Sequence, residues 1–183
     1  RFGLAYFATG LYWFAHALLV EPEKFAWMIP FAVLGLPSVL AIYYGLCSSL
    51  WHWLRTRFVL LRFVSILLFV GLWSVTEWLR GHLFTGFPWN LSAYSWGFSD
   101  PMIQWASLIG AYGYSAWTLL LATLPVMMLL TKNSSHRTAA LSVTLLMLSV
   151  PFTYGAYRLN SNPTDFTDKT LHVVQGNIAQ QHK

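Results

Sequence analysis

One short stretch carries most of the side chains that could do chemistry together: Thr76-Glu77-Trp78-Leu79-Arg80-Gly81-His82-Leu83-Phe84-Thr85-Gly86-Phe87-Pro88-Trp89-Asn90. Glu77 and Arg80 are three apart, so on a helix they share a face and can pair at its end. Two readings are open. The pair is either an interfacial ion pair that ends a helix, or a site in which Arg80 meets a lipid phosphate while Glu77 holds it, because charges within apolar spans are functional candidates by default. Gly86 and Pro88 impose a turn that sets Phe87 and Trp89 at headgroup depth, where aromatic side chains anchor membrane proteins. Elsewhere the signals are weak. Cys47 lies in an apolar run with no basic neighbour to stabilise a thiolate and reads as an inert packing residue. A single Cys also excludes an intrachain disulfide. His16, His52, His82, His136, His172 and His182 are scattered without metal-ligand spacing, so no metal is expected. His82, beside the pair, reads as interfacial rather than catalytic. No Gly-rich phosphate loop, HExxH or GxSxG pattern occurs, and no cofactor is expected.

The elements that must position these residues follow from composition. The 183 residues are 56% hydrophobic and 9% charged, with a mean hydropathy of +0.51. An ordinary soluble domain carries roughly 25% charged residues, which excludes a soluble single-core protein. Spans of about 20 apolar residues can cross a hydrocarbon core of about 30 Å. Five are predicted, at residues 2–20, 25–53, 58–79, 102–131 and 138–157, with Arg62 and Glu77 snorkelling from the ends of the third. Residues 81–99, uncharged but rich in Gly, aromatic and polar side chains, read as an interfacial or partly re-entrant loop. Pro30, Pro37, Pro125 and Pro151 should kink or interrupt their helices, and Gly110 with Gly113 suits close helix packing.

Basic residues set the orientation. Arg55, Arg57 and Arg62 surround one turn, and Lys132 and Arg137 flank another, which places both turns in the cytoplasm. The 81–100 loop and the tail then face the other side. The net charge of +5 is accounted for by these topology signals and by anionic headgroups, so no nucleic-acid partner is expected. In the polar tail, residues 171–175 read as a short β-strand that cannot stand alone. The chain is therefore expected to be a fragment cut at both ends.

Two separate motifs carry a family resemblance. The run from Thr76 to Trp89, followed by Tyr94-Ser95 and then Ile109-Gly110-Ala111-Tyr112-Gly113, resembles the membrane domain of the bacterial apolipoprotein N-acyltransferases. The tail His172-Val173-Val174-Gln175-Gly176-Asn177-Ile178-Ala179-Gln180 resembles the first strand of that family's nitrilase-like domain, with Ala179 where Pro is usual. His82 stands where the family often has an aromatic or other large residue. The resemblance implies an all-α polytopic membrane helix bundle over residues 1–157, followed over residues 158–183 by a linker and the first β-strand of a truncated α/β nitrilase-like domain. It implies a multi-pass enzyme of the bacterial inner membrane, with the 81–100 loop and the tail periplasmic. Such enzymes move an acyl chain from a phospholipid to the α-amino group of the diacylglyceryl-cysteine that begins an apolipoprotein, through a Cys thioester assisted by a Glu base and a Lys. Glu77, Lys169, Lys183 and Cys47 match none of that triad. No catalytic residue is therefore expected in this chain, which should be inactive alone. Glu77, Arg80, Phe87, Pro88 and Trp89 are expected to form the rim where the phospholipid donor and apolipoprotein acceptor enter, in contact with membrane lipids and in a monomer. A transporter-like bundle or a membrane scaffold without acyl transfer are the alternatives.

Overall fold

The computed structural model describes residues 1–162 and 168–172, and in them the chain is mostly helical. The helices are α1 (Phe2–Gly10), α2 (Phe14–Leu18), α3 (Pro22–Phe25), α4 (Leu36–Arg57), α5 (Arg62–His82), α6 (Asp100–Ile103), α7 (Ala106–Leu130) and α8 (Ser134–Ser161). Short 3₁₀ turns occupy Ala26–Met28 and Ser92–Trp96, and a π-helical segment, Phe31–Gly35, leads into α4. Packing follows chain order: α1 lies on α4, α4 on α5, α5 on α7 and α7 on α8. The short α4–α5 and α7–α8 connections lay those pairs side by side, while the long 83–105 segment joins α5 to α7.

Four helical elements, not five, are long and apolar enough to cross a membrane among the described residues: Pro22–Arg57, Arg62–His82, Ala106–Leu130 and Ser134–Ser161. The expected first span, residues 2–20, is instead broken into α1 and α2. At 1.5 Å per residue α1 rises only about 14 Å, half the hydrocarbon thickness. The break coincides with a tertiary contact: a Cβ at Gly10 would collide with the side chain of Asn90, so the end of α1 is where the 83–91 loop docks. Leu11, at the break, is fully buried.

The four prolines within apolar runs fall in two kinds of place. α7 and α8 run on through Pro125 and Pro151, while Pro30 and Pro37 flank the π-helical segment Phe31–Gly35, where the regular α-helical pattern is interrupted. The break in α7 is at Gly110, with φ 68° and ψ 173°, a conformation open mainly to glycine. Nothing lies within contact of its Cα hydrogen side, so Gly110 serves backbone conformation rather than close helix packing.

One buried cluster, Phe7, Leu11, Leu40, Tyr44, Cys47 and Trp73, joins α1, α4 and α5. Tyr44 stacks on Phe7 at 5.2 Å and on Trp73 at 4.2 Å. On the other face of α4, Val39, Ile42 and Leu46 are exposed, a stripe suited to lipid. Of the tail, Leu171 and His172 carry no regular structure. Val173 to Gln175 of the expected strand, and the motif through Gln180, lie outside the described residues.

The two basic turns come to one end of the bundle. Arg62, opening α5, donates through Nη1 to the carbonyl of Leu130, closing α7, at 3.0 Å.

Candidate functional site

The buried residues near the end of α5 are Trp73, Thr76, Glu77 and Arg80. Their spacing of three and four puts them on one stripe facing α1, α4 and the following loop. Glu77 is 0% and Arg80 1% exposed, which is rare for charged side chains without partners. Neither sequence-based reading of the pair describes what they do. They form no salt bridge with each other; among the described residues the ion pair is Lys24 with Glu21, at 2.6 Å. Arg80 is also too deeply covered to offer its guanidinium to a headgroup. Both side chains instead turn toward the loop.

Arg80 Nη1 donates to the carbonyls of Phe87 at 2.5 Å and Trp89 at 2.6 Å, and Nη2 reaches the carbonyl of Asn90 at 3.4 Å. Its cationic carbon lies 5.1 Å from the centre of the Phe7 ring, an added cation–π contact. Glu77 Oε1 accepts from the backbone N–H of Ser92 at 3.0 Å, the Ser92 hydroxyl at 2.7 Å and Trp73 Nε1 at 3.2 Å. The Tyr44 hydroxyl is at 3.5 Å from the same oxygen. One cation therefore meets the carbonyls of Phe87, Trp89 and Asn90, and one anion satisfies the start of the Ser92–Trp96 turn. Backbone buried outside a helix must find such partners, and without them this loop could not sit against the bundle.

The loop needs that restraint because its backbone is strained. Phe84, Thr85 and Gly86 have φ of 52°, 74° and 81°, and Asn90 has φ of 54°. A left-handed residue other than glycine costs about 1–3 kcal/mol and persists only where the surroundings hold it. At Gly86 even a methyl group would strike the Gly81 carbonyl. Further ties come from neighbouring helices. Tyr6 of α1 donates its hydroxyl to the Asn90 carbonyl at 2.9 Å. On α7, Ser115 Oγ accepts from Ala93 N–H at 3.2 Å and Thr118 Oγ1 from Trp96 Nε1 at 2.8 Å.

The structure thus brings all five candidate residues into one assembly, with divided roles. Glu77 and Arg80 hold the loop from beneath. Phe87 is half-buried with its ring 6.2 Å from Phe14, Pro88 is exposed, and Trp89 is 51% exposed with its ring 5.3 Å from Trp13. His82 stands apart: its Nδ1 is 2.7 Å from the Trp78 carbonyl, and its ring stacks on Trp78 on the exposed side of α5. Cys47 is buried in the aromatic cluster. Sequence reasoning missed Tyr6, Phe7, Asn90, Ser92 and Ser115. Tyr6 carried a usable signal, since a hydroxyl within an apolar run must find a partner. The others carried none, because their partners are distant in the chain. Two buried atoms at the site lack a hydrogen-bond partner, Glu77 Oε2 and Arg80 Nε.

The match to known sequences falls on this same region. The model of the apolipoprotein N-acyltransferase N-terminal domain matches residues 1–124, which include α1, α4, α5, the loop and most of α7. The chain belongs to the apolipoprotein N-acyltransferase family. It is 36% identical over 184 residues to the apolipoprotein N-acyltransferase of Rickettsia typhi, covering 100% of this chain and 36% of that protein. It is 37% identical over 188 residues to that of Allorhizobium ampelinum and 39% identical over 191 residues to that of Rhizobium etli, covering 100% of this chain and 33% and 34% of those proteins. The chain thus spans about a third of the length of these relatives. No solved structure is a significant match. The transporter-like reading finds no support, since Glu77 and Arg80 are closed over by the loop rather than lining an open path.

Proposed function

We propose that this chain is the membrane part of an enzyme that transfers an acyl chain from a phospholipid to the N-terminal diacylglyceryl-cysteine of apolipoproteins. Its share of that work is to hold the 83–99 loop as a rim over which the phospholipid donor and the apolipoprotein acceptor pass. Glu77 and Arg80 are positioning residues, and Phe87, Pro88 and Trp89 are the surface the lipids meet. The observation that carries the reading is the buried Arg80 guanidinium gripping the carbonyls of Phe87 and Trp89 while both of the next residues outward, Pro88 and Trp89, stay exposed. Membrane spans seldom bury an arginine against a strained loop unless that loop's shape matters.

In this reading the protein lies in the bacterial inner membrane, with the loop and the tail on the periplasmic side. The link between the two basic turns supports that orientation, because it gathers Arg55, Arg57, Arg62, Lys132 and Arg137 at the opposite end. The Cys, Glu and Lys that form and resolve the thioester follow this chain in the whole protein.

The test uses the full-length enzyme. Trp89→Ala, which removes an exposed ring, should lower acyl-enzyme formation or acceptor turnover at normal expression, and Arg80→Ala should do the same by releasing the loop. Unchanged rates for both would remove the rim from the mechanism. Assayed alone, the chain should transfer no acyl groups to a diacylglyceryl peptide; measurable turnover would overturn the placement of the triad.

A further inference from the structure

At the other end of α5 lies a cavity of about 610 Å³, bounded by α4, α5, α7 and α8. Arg62 and Glu77 are fifteen residues apart on that helix, or about 22 Å at 1.5 Å per residue, so this cavity is separate from the loop site. Arg55, Arg62 and His136 stand among its lining residues, while Ile66, Val126 and Met127 supply apolar wall. The cations are held in place. Arg62 is fixed by its bond to the Leu130 carbonyl, and Arg55 lies 5.3 Å over the ring of Trp51, whose Nε1 is bonded to the Ser65 carbonyl at 2.9 Å. Among the described residues no carboxylate pairs with them: the ion pair there is Lys24 with Glu21, and Glu77 is committed to the loop.

A site with fixed cations, no acid and an aliphatic wall matches one kind of ligand, an anion that carries a hydrocarbon chain. We propose that this cavity binds an anionic phospholipid, with its phosphate at Arg55, Arg62 and His136 and acyl chain between α5 and α7. Basic pockets between membrane helices bind lipid headgroups through this combination of charge and apolar contact. The lipid would tie the α4–α5 turn to the α7–α8 turn, adding to the single direct bond between Arg62 and Leu130.

Native mass spectrometry of the purified full-length enzyme, released from micelles containing phosphatidylglycerol and phosphatidylcholine, reads the proposal. Phosphatidylglycerol should be retained in preference. Arg55→Gln and Arg62→Gln should each reduce that preference about fivefold, from roughly one charge contact apiece. Arg57→Gln and Lys132→Gln, equally basic positions outside the cavity lining, should leave it unchanged. Ala140→Trp, which fills the cavity without touching its charge, should abolish retention, and it decides the matter if the arginine variants do not fold. Equal losses in all four charge variants would mean diffuse attraction to a basic surface and would overturn the site. Displacement of the lipid by inorganic phosphate would show a free-phosphate site instead. Retention in Ala140→Trp would equally refute the proposal.

Discussion

The two ends of α5 use charge in opposite ways. At its start, Arg62 is exposed and belongs to a group of arginines and a lysine with no acid nearby. At its finish, Glu77 and Arg80 are buried, and their hydrogen bonds go to a loop rather than to water or to each other. An exposed cation near a headgroup region loses little solvation and acts over a distance. A buried one must be satisfied by partners in fixed positions, so it dictates the shape of what it touches. Charge at one end of the helix therefore instructs orientation, and at the other it instructs conformation.

The comparison predicts a graded series of effects on stability in detergent. Arg80→Ala should be the largest, about 3–5 kcal/mol, because it orphans the carbonyls of Phe87 and Trp89 and leaves the Glu77 charge buried without its neighbour. Limited proteolysis should then cut within residues 83–91; a loop that stays resistant would mean that Tyr6 and Ser115 suffice to hold it. Glu77→Gln keeps the shape but weakens two bonds from Ser92, and thermal unfolding should show a loss of about 1.5–3 kcal/mol. Ser92→Ala removes one of those bonds and should cost about 1 kcal/mol; a cost equal to that of Glu77→Gln would mean that the hydroxyl carries the whole interaction. Arg57→Gln at the exposed end should stay within about 0.5 kcal/mol, since surface charges contribute little. Its effect belongs to topology, which accessibility labelling of the 81–100 loop in cells would report. His82→Ala should be as mild, given its exposed stacking on Trp78, and a large loss there would move the site outward along α5.

Much of the fold was legible because apolar length is a local property. Three expected spans, at residues 58–79, 102–131 and 138–157, correspond to α5, α7 and α8 with shifted ends, and the span at 25–53 lies inside Pro22–Arg57. The expected span at 2–20 did not survive, although its composition is as apolar as the others. Where it ends, at Gly10, it meets Asn90, a residue eighty positions away. Pro125 and Pro151 lie inside continuous helices, whereas Gly110, read as a packing residue, marks the break in α7.

The candidate site divides along the same line. Glu77 and Arg80 stood out because a charge in an apolar stretch costs free energy and must have a reason to be there. Their spacing correctly placed them on one face, and it wrongly suggested that they meet. Side chains three apart on a helix can reach each other, but competition decides whether they do. Here the competitors were backbone carbonyls and an N–H that had no water available and no helical partner.

What the sequence alone determined was the solvent and the sorting of charge: long uncharged runs require a hydrocarbon surround, and the arginines cluster outside them. Those properties sum over neighbours in the chain and do not depend on what folds against them. What only the tertiary structure decided was where each polar group finds its partner. Arg80 reaching Phe87 and Trp89, Tyr6 reaching Asn90, and Ser92 reaching Glu77 depend on how α1, α5 and the loop are brought together. Hydrogen bonds act over about 3 Å and in a set direction, so no pattern of residue types could assign them before the chain had closed on itself.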